Sequence, residues 1–311
     1  EETAAIDPDR IYVIPETLAD LKPMAGILTL DSGNALSHAQ LLAANLGIPN
    51  AGVPSALLPL LRKNVDRELV YAVTPRGMVV LREKAGLSAE ELKLWAAPQA
   101  ARSRMELDVS RLNLTERRIL SLRDLGVKDS GVLVGPKAAN LAQLMSYFPE
   151  QVAPGLVLPF GIFHQHIERV LDPAAGVTLR QQIYEAFGEA ERRRQAGATP
   201  AQVSEFIYPR LAQFRKTIQT MPLLPDFEKE LLSRMRGAFG EEGGYGVFVR
   251  SDTNAEDLPE FTGAGLNLTV PNLVGNAGIV QAVKDVWASP FTERAYDWRA
   301  QVLRSQERVV P

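Results

Sequence analysis

The 311-residue sequence contains no cysteine and only three histidines: His38, His164 and His166. The chain therefore has no disulfide, no thiolate nucleophile and no cysteine-ligated metal, and so few histidines argue against a structural zinc site. The composition fits a reducing compartment, and we expect a cytoplasmic protein. No apolar run approaches the roughly 18 residues of a membrane span, and no signal-peptide pattern opens the chain. We expect no membrane partner.

The sequence also lacks a large excess of either charge, since the formal net charge is only −3 and the pI is near 5.8. This balance argues against a nucleic-acid partner, which requires a basic surface. Between Lys22 and Arg62 there is no Lys or Arg at all. The length suggests about two domains. Because the chain starts at Glu1 rather than Met, we expect it to be a piece of a longer polypeptide.

The most informative stretch surrounds His38. An apolar run ends in the turn residues Asp31-Ser32-Gly33-Asn34, Ser37 has the character of an N-cap, and Gly47 and Pro49 close the following apolar-periodic segment. This pattern places His38 at the first position of a short helix. The helix dipole there favours a neutral, nucleophilic imidazole and stabilises an attached phosphoryl group. The alternative is a half-exposed histidine that only caps the helix.

The residues around His38 resemble a known family. Gly33-x-x-x-Ser37-His38-Ala39, followed by Ala43-x-x-Leu46-Gly47-Ile48-Pro49, is similar to the swivelling phosphohistidine domain of the phosphoenolpyruvate-utilising enzymes. These are pyruvate phosphate dikinase, phosphoenolpyruvate synthase and the glucan water dikinases. The resemblance implies that His38 carries a phosphoryl group between two sites.

Two departures from the family pattern leave a second hypothesis open. Leu36 stands where the family usually has Thr, and Ala44 stands where it has Arg. A phosphoryl group on His38 would then have only helix-terminus N–H groups from its own motif, besides what another domain supplies. The alternative is a degenerate site that keeps the fold without the chemistry.

Hydrophobic patterning predicts a mixed α/β and α+β architecture. We expect a βα domain over residues 1–84, followed by a helical linker over residues 85–130. In the linker, Ser88-x-x-Glu91 has the form of a capping box, and Thr115 is expected to open a second helix. The elements predicted in the first domain are strands at 11–14, 25–30 and 50–53, helices at 15–21 and 56–61, and a hairpin of 69–73 with 78–81.

Residues 131–311 are expected to form a second domain. A small-residue turn brings Lys137 into the first turn of a helix, where a cation is explained by an anionic ligand. This helix and the strand and helix at 154–163 resemble the start of an ATP-grasp nucleotide domain. Further helices are predicted at 179–195, 201–220 and 225–239. We interpret His164, His166 and the run Arg192-Arg193-Arg194 as polar surface residues.

A strand that ends at Arg250 precedes a small-residue turn, and together they suggest a polyphosphate cradle. They also resemble the family signature Val-Arg-Ser-x-x-x-x-Glu-Asp-Leu. By that resemblance Lys137 and Arg250 bind the phosphates of ATP. The residues expected to cover those phosphates are Thr262, Gly263, Ala264 and Gly265. In the competing interpretation Arg250 forms an ion pair with Glu256 or Asp257.

The order of the motifs, with His38 before Lys137 and Arg250, is that of the glucan water dikinases. We therefore predict a fragment of an ATP-dependent dikinase-like phosphotransferase, with AMP and orthophosphate as co-products, that passes phosphate through His38 to an acceptor such as an α-glucan, with water as second acceptor. The Mg²⁺-binding carboxylates are expected outside this chain, so the isolated piece should be inactive. The alternatives are a pyruvate-directed synthase with permuted domains and a catalytically degenerate nucleotide-binding scaffold.

Overall fold

The computed structural model divides the chain into two compact units, Glu1–Met105 and Glu106–Pro311. The residues that it describes are 6–14, 22–30, 43, 47–74, 76–93, 104–171, 173–174, 176–256, 258 and 266–311. The predicted helix at 15–21 and the segment 31–42 around His38 lie outside the described residues. The mixed α/β class expected from the sequence is confirmed.

A three-stranded parallel sheet is the framework of the first unit. Its strands are β1 (Ile11–Ile14), β2 (Gly26–Leu30) and β3 (Asn50–Val53). Strand β2 lies in the centre and pairs with both neighbours, with Ile27 opposite Tyr12 and Asn50. Its first four residues are buried, as the continuous apolar run of a central parallel strand predicts.

A hairpin of β4 (Leu69–Val73) and β5 (Val79–Glu83) packs against this sheet. The Tyr71 ring lies directly on Gly26, where a Cβ atom would overlap the ring, and the Tyr71 hydroxyl donates to the Ile27 carbonyl at 2.9 Å. Glycine at position 26 is therefore required by the close approach of an aromatic ring. Burial also raises the pKa of Tyr71.

Of the segment that is predicted to follow His38, the structure describes Ala43 and the residues from Gly47 onward. Ala43 is helical and buried, Gly47 has a φ of +68°, and the Ile48 amide donates to the Ala43 carbonyl at 2.9 Å. A glycine in the left-handed region that closes a helix in this way is a common C-terminal cap. The short helix α1 (Leu58–Arg62) overlaps the segment predicted at 56–61 and ends one residue later.

Helices dominate the second unit. They are α2 (Pro136–Tyr147), α3 (Phe160–Ile167), α4 (Leu179–Gln195), α5 (Pro200–Thr220), α6 (Pro225–Phe239), α7 (Asn276–Ala288) and α8 (Glu293–Val302). Two small antiparallel sheets accompany them. Their strands are β6 (Leu120–Ser121) with β7 (Leu156–Val157), and β8 (Val247–Arg250) with β9 (Thr269–Leu273).

Helices α3 to α7 share one hydrophobic core. Helix α5 contributes a stripe of buried side chains with helical spacing: Val203, Ile207, Leu211, Phe214 and Ile218. Helices α4 and α5 begin with capping boxes, formed by Thr178 with Gln181 and by Thr199 with Gln202. Of the helices that the structure describes, none is both long and apolar enough to serve as a membrane span.

The predicted helical linker is wrong over its second half. Residues from Glu106 onward belong to the second unit, and Ile119 is buried in its core. Thr115 opens no helix, because its amide and hydroxyl both bond to the Asn113 side chain at 3.0 and 2.7 Å. This local turn competes with helix initiation. In the first half, Ser88 and Glu91 form the predicted capping box, with distances of 2.8 and 3.2 Å.

His166 is the second correction, because it is fully buried rather than on the surface. Its Nδ1 lies 2.7 Å from the Ile162 carbonyl, and the Leu224 amide donates to its Nε2 at 3.1 Å. These two bonds define a neutral imidazole inside the core, and burial lowers its pKa. His164 is partly exposed and lies 3.2 Å from Glu168.

The run Arg192-Arg193-Arg194 is only partly a solvated face. Arg192 and Arg193 pair with Glu189 at the surface, whereas Arg194 is partly buried and donates to the Tyr296 hydroxyl at 2.5 Å. The third arginine therefore ties α4 to α8.

Candidate functional site

The start of helix α2 is built by three consecutive residues of different character. Gly135 occupies the N-cap position without a side chain that could cap the helix, and Pro136 at the first helical position has no N–H. Lys137 follows as the first residue with a backbone N–H, and that N–H has no acceptor within the helix. The Ala139 amide already bonds to the Gly135 carbonyl at 3.3 Å. Two amides, those of Lys137 and Ala138, therefore need a partner.

The carboxylate of Asp252, which is distant in sequence, accepts from both amides. Its Oδ1 accepts from the Lys137 amide at 2.8 Å, and its Oδ2 accepts from the Ala138 amide at 3.1 Å. Asp252 lies two residues after the end of β8, so a residue 115 positions away in the chain caps the helix. The bonds lock the start of α2 to the end of β8.

Gly135 makes this close approach possible. A Cβ atom at position 135 would lie 2.5 Å from Oδ1 of Asp252 and 2.7 Å from its backbone carbonyl carbon and oxygen. Because part of the obstruction is backbone, it cannot be relieved by a change of rotamer. The glycine is required here by space, since its φ of −81° is accessible to any residue.

The Lys137 side chain extends from the same helical turn into a polar network. Its Nζ lies 2.6 Å from Oε2 of Glu256, 3.1 Å from the Ser251 carbonyl and 3.4 Å from the Ser251 hydroxyl. The side chain keeps 33% of its surface exposed, whereas that of Glu256 keeps 2%. The carboxylate is therefore shielded from solvent, whereas part of the lysine side chain reaches it.

Glu256 is held by two further donors. Its Oε1 accepts from the Asn267 amide at 2.8 Å and from the Ser251 hydroxyl at 3.3 Å. A buried carboxylate needs a cation and hydrogen-bond donors to offset its lost hydration. Lys137, Asn267 and Ser251 provide them.

Asp252 shares this region but lacks a cation in direct contact. Its pKa is raised to about 6, chiefly by burial and also by the negative charge of Glu256, although the two backbone donors and Lys137 lower it. The cap of α2 is therefore a carboxylate whose charge is costly.

Arg250 is the last residue of β8 and precedes the buried Ser251. Alternation along β8 leaves Phe248 and Arg250 exposed, whereas Val247 and Val249 pack against the core. Arg250 makes no ion pair or hydrogen bond with any residue that the structure describes. The predicted Arg250–Glu256 pair is wrong, since Glu256 pairs with Lys137. Asp257, its other suggested partner, lies outside the described residues.

The anionic ligand predicted at the start of the Lys137 helix has a counterpart in the protein itself, since two carboxylates of the chain lie there. Asp252 occupies the helix terminus, and Glu256 binds the ammonium. Sequence reasoning missed the roles of both acids and of Asn267. The available signal was the pair of acids four residues apart, Asp252 and Glu256, shortly after a strand that ends in arginine.

The remaining predicted site residues fall outside the described part of the chain. They are His38, Thr262, Gly263, Ala264 and Gly265. Among the residues that the structure does describe, no group of three or more His, Cys, Asp or Glu side chains is arranged to hold a metal ion. Asp252 and Glu256, the acids nearest Lys137, are already engaged with protein donors.

Comparison with known proteins gives the site its context. Residues 132–309 match the family model described as pyruvate phosphate dikinase, AMP/ATP-binding domain. The match contains Lys137, Arg250, Asp252 and Glu256.

Individual relatives carry two kinds of name. The chain is 30% identical over 191 residues to a probable phosphoenolpyruvate synthase of Staphylothermus marinus, with 59% of the chain and 20% of the relative aligned. It is 29% identical over 187 residues to a rifampicin phosphotransferase of Streptomyces sviceus, with 60% of the chain and 19% of the relative aligned. A rifampicin phosphotransferase of Bacillus cereus is 32% identical over 169 residues, 54% of the chain and 17% of that relative.

The chain spans about one fifth of the length of the curated relatives that it matches. The family model covers residues 132–309, which is more than half of the 311-residue chain. Together with the Lys137 site that lies inside this match, the comparison establishes that the chain belongs to the family of the pyruvate phosphate dikinase AMP/ATP-binding domain, among the phosphoenolpyruvate-utilising enzymes.

Proposed function

We propose that the protein is part of an ATP-dependent phosphotransferase in which Lys137 and Arg250 bind the phosphates of ATP. The observation that carries the proposal is the position of Lys137. It lies inside the matched AMP/ATP-binding region, and a buried carboxylate holds its ammonium while 33% of the side chain faces solvent. An immobilised ammonium at the surface is suited to bind a phosphate oxygen.

Arg250 supports the same assignment from the neighbouring strand. It is exposed and unpaired among the described residues, and it adjoins Ser251, whose carbonyl contacts Lys137. A guanidinium binds two phosphate oxygens at once, whereas an ammonium binds as a point charge. The two cations are complementary in function, and Thr262 to Gly265 are proposed to cover the same phosphates.

His38 is proposed as the phosphoryl carrier. A neutral imidazole nitrogen attacks the β-phosphorus of ATP, the bond between the α- and β-phosphates breaks, and AMP leaves. Water removes the outer phosphate as orthophosphate, so one phosphoryl group stays on His38. The acceptor oxygen then attacks that phosphorus and the P–N bond breaks.

Mg²⁺ is expected for phosphoryl transfer from ATP. The described residues do not fit a Mg²⁺ site, since Asp252 and Glu256 are bonded to protein donors and no other acidic cluster is suitable. We therefore assign no step to a metal held by this part of the chain.

The nucleotide site is tested by Lys137→Ala and Arg250→Ala in the full protein. Each change should weaken ATP binding by about 1.5–3 kcal/mol, the contribution of a charge-assisted hydrogen bond. Calorimetric titration measures the affinity, and a melting curve measures stability. Arg250→Ala should leave the melting temperature unchanged because the side chain has no partner among the described residues, whereas Lys137→Ala should lower it. Unchanged ATP affinity in both variants would refute the site.

The carrier and the acceptor are tested with ATP labelled at the β-phosphate. The full protein should acquire an acid-labile, alkali-stable label that His38→Ala abolishes. A chase with pyruvate, rifampicin or an α-glucan then identifies the acceptor by the loss of protein label and the appearance of labelled product. ATP turnover without AMP formation would refute the dikinase reaction.

A further inference from the structure

We infer that Glu256 is a positioning residue for nucleotide binding, which acts by holding the Lys137 ammonium where a phosphate meets it. The inference rests on the proposed function of Lys137 and adds a residue to it. Glu256 itself touches no nucleotide in this assignment, because its side chain is only 2% exposed.

The bonds of Glu256 join three segments of the second unit. Oε2 is 2.6 Å from Lys137 on α2, and Oε1 accepts from Ser251 after β8 and from Asn267 before β9. The hydrogen-bond donors thus hold Oε1, whereas Oε2 has the Lys137 ammonium as its ion-pair partner. The Lys137 side chain is fixed against the rest of the unit rather than only along its own helix.

The contacts of Nζ explain why Glu256 assists a phosphate instead of competing with it. The Ser251 carbonyl accepts a hydrogen bond from Nζ at 3.1 Å, and the Ser251 hydroxyl accepts a long one at 3.4 Å. The contact with Oε2 of Glu256 at 2.6 Å is an ion pair, since Oε2 has no hydrogen-bond partner among the described residues. Nζ therefore keeps donor capacity that no strong acceptor uses, and a phosphate oxygen can take it up or replace the hydroxyl.

We expect Glu256 to restrict the rotamers of the Lys137 side chain. A free lysine loses nearly all of its rotamer entropy when it binds a ligand, and that loss is among the largest for any side chain. When Glu256 binds the ammonium, the Lys137 side chain is already ordered before the nucleotide binds, so less rotamer entropy is lost on binding. Removal of the carboxylate should therefore lower affinity although it also removes a negative charge near the phosphates.

A set of four proteins tests this inference: the natural protein, Glu256→Gln, Lys137→Met and the double variant. Gln keeps the size of Glu but turns one oxygen into an NH₂ group, which must oppose either Lys137 or the donors Asn267 and Ser251. We expect Glu256→Gln to weaken ATP binding about tenfold. In the Lys137→Met background it should have no further effect on affinity, because the group through which it acts is absent.

Stability is measured on the same four proteins and should follow a different pattern. Lys137→Met leaves the Glu256 charge buried without a cation and should lower the melting temperature. The double variant removes that uncompensated charge and should recover part of the loss. A control, Glu293→Gln, breaks the partly buried pair with Arg215 at 3.0 Å and should change stability without changing ATP affinity.

The outcomes separate the inference from the proposal beneath it. Unchanged ATP affinity in Lys137→Met would refute the nucleotide site itself. If Lys137→Met weakens binding while Glu256→Gln leaves it unchanged, Glu256 is only structural and the inference fails. Tighter binding by Glu256→Gln would make Glu256 a competitor of the phosphates, and equal losses in both backgrounds would mean that it acts without Lys137. Either result overturns the inference.

Discussion

Asp252→Asn is the substitution that isolates the unusual carboxylate at the start of α2. Burial raises the pKa of Asp252 to about 6 from a reference value of 3.8. Asn has the same size and can still accept from one of the two amides, those of Lys137 and Ala138, but it carries no charge. The comparison of Asp with Asn therefore measures the cost of the charge as a function of pH.

The sign follows from proton linkage. Because the folded-state pKa lies above the unfolded value, the folded protein retains a proton on Asp252 that the unfolded chain has lost. The resulting stability is fully present below pH 3.8 and is lost as pH rises through about 6. The difference of about 2 pKa units corresponds to a total of about 3 kcal/mol. Roughly half of that, about 1.4 kcal/mol, is lost between pH 5 and pH 8.

The Asp252→Asn variant has no carboxyl group to titrate at this position. Its free energy of unfolding should therefore rise by about 1.4 kcal/mol relative to that of the natural protein between pH 5 and pH 8. Urea titrations at a series of pH values measure it, with Trp287 and Trp298 of the second unit as fluorescent reporters in a Trp95→Phe background. Other titrating groups, including His166, are common to both proteins and cancel. Glu205→Gln, at an exposed position of α5, controls for the change in net charge.

A constant difference between the two proteins across this pH range would refute the raised pKa of Asp252. A difference that changes in the opposite direction would mean that the two amide donors stabilise the charged form more than burial destabilises it. The assignment of Asp252 as a costly charged cap would then be wrong.

Two further predictions concern packing. Gly135→Ala should destabilise the second unit by about 1–3 kcal/mol in urea titrations, because the new methyl group meets the Asp252 backbone. Gly188→Ala, inside α4 where the nearest atom is 3.4 Å away on a flexible arginine, is its control and should be neutral or stabilising; equal losses at both sites would refute the steric argument. His166→Leu should cost about 2–4 kcal/mol at neutral pH, since the Leu224 amide loses its acceptor. Because the pKa of His166 is lowered in the folded state, the natural protein should lose stability as pH falls below 6.5. The difference in unfolding free energy between the natural protein and His166→Leu should therefore shrink in acid. A difference that widens would contradict the neutral imidazole.

The sequence alone determined most of the local structure. Apolar runs located strands β1 to β5 and β8, and the helices predicted at 179–195, 201–220 and 225–239 match α4, α5 and α6 to within a residue. These signals are contained within a few consecutive residues, so they can be read without the fold. The family resemblance likewise depended on short motifs, and the match over residues 132–309 bears out its nucleotide-domain part, while the phosphohistidine role of His38 stays a prediction.

Two local signals failed for different reasons. Thr115 has the residue type of a helix start, but the Asn113 side chain two residues earlier forms a competing turn with it, and Ile119 is buried in the core of the second unit. His166 is polar, but it is a core residue whose ring accepts from the Leu224 amide, 58 residues away. The burial of Ile119 and the contact of His166 depend on the fold, so the local sequence pattern does not contain them.

The candidate site divides in the same way. Lys137 and Arg250 were identified from the sequence because a cation in the first turn of a helix and an arginine at a strand end are locally unusual. Their surroundings were decided by tertiary structure, since Asp252 and Glu256 reach the start of α2 from more than 110 residues away. A buried charge must find its counter-charge wherever the fold provides one. The partner of Lys137 is therefore a property of the packing of α2 against the end of β8, which no stretch of the sequence states by itself.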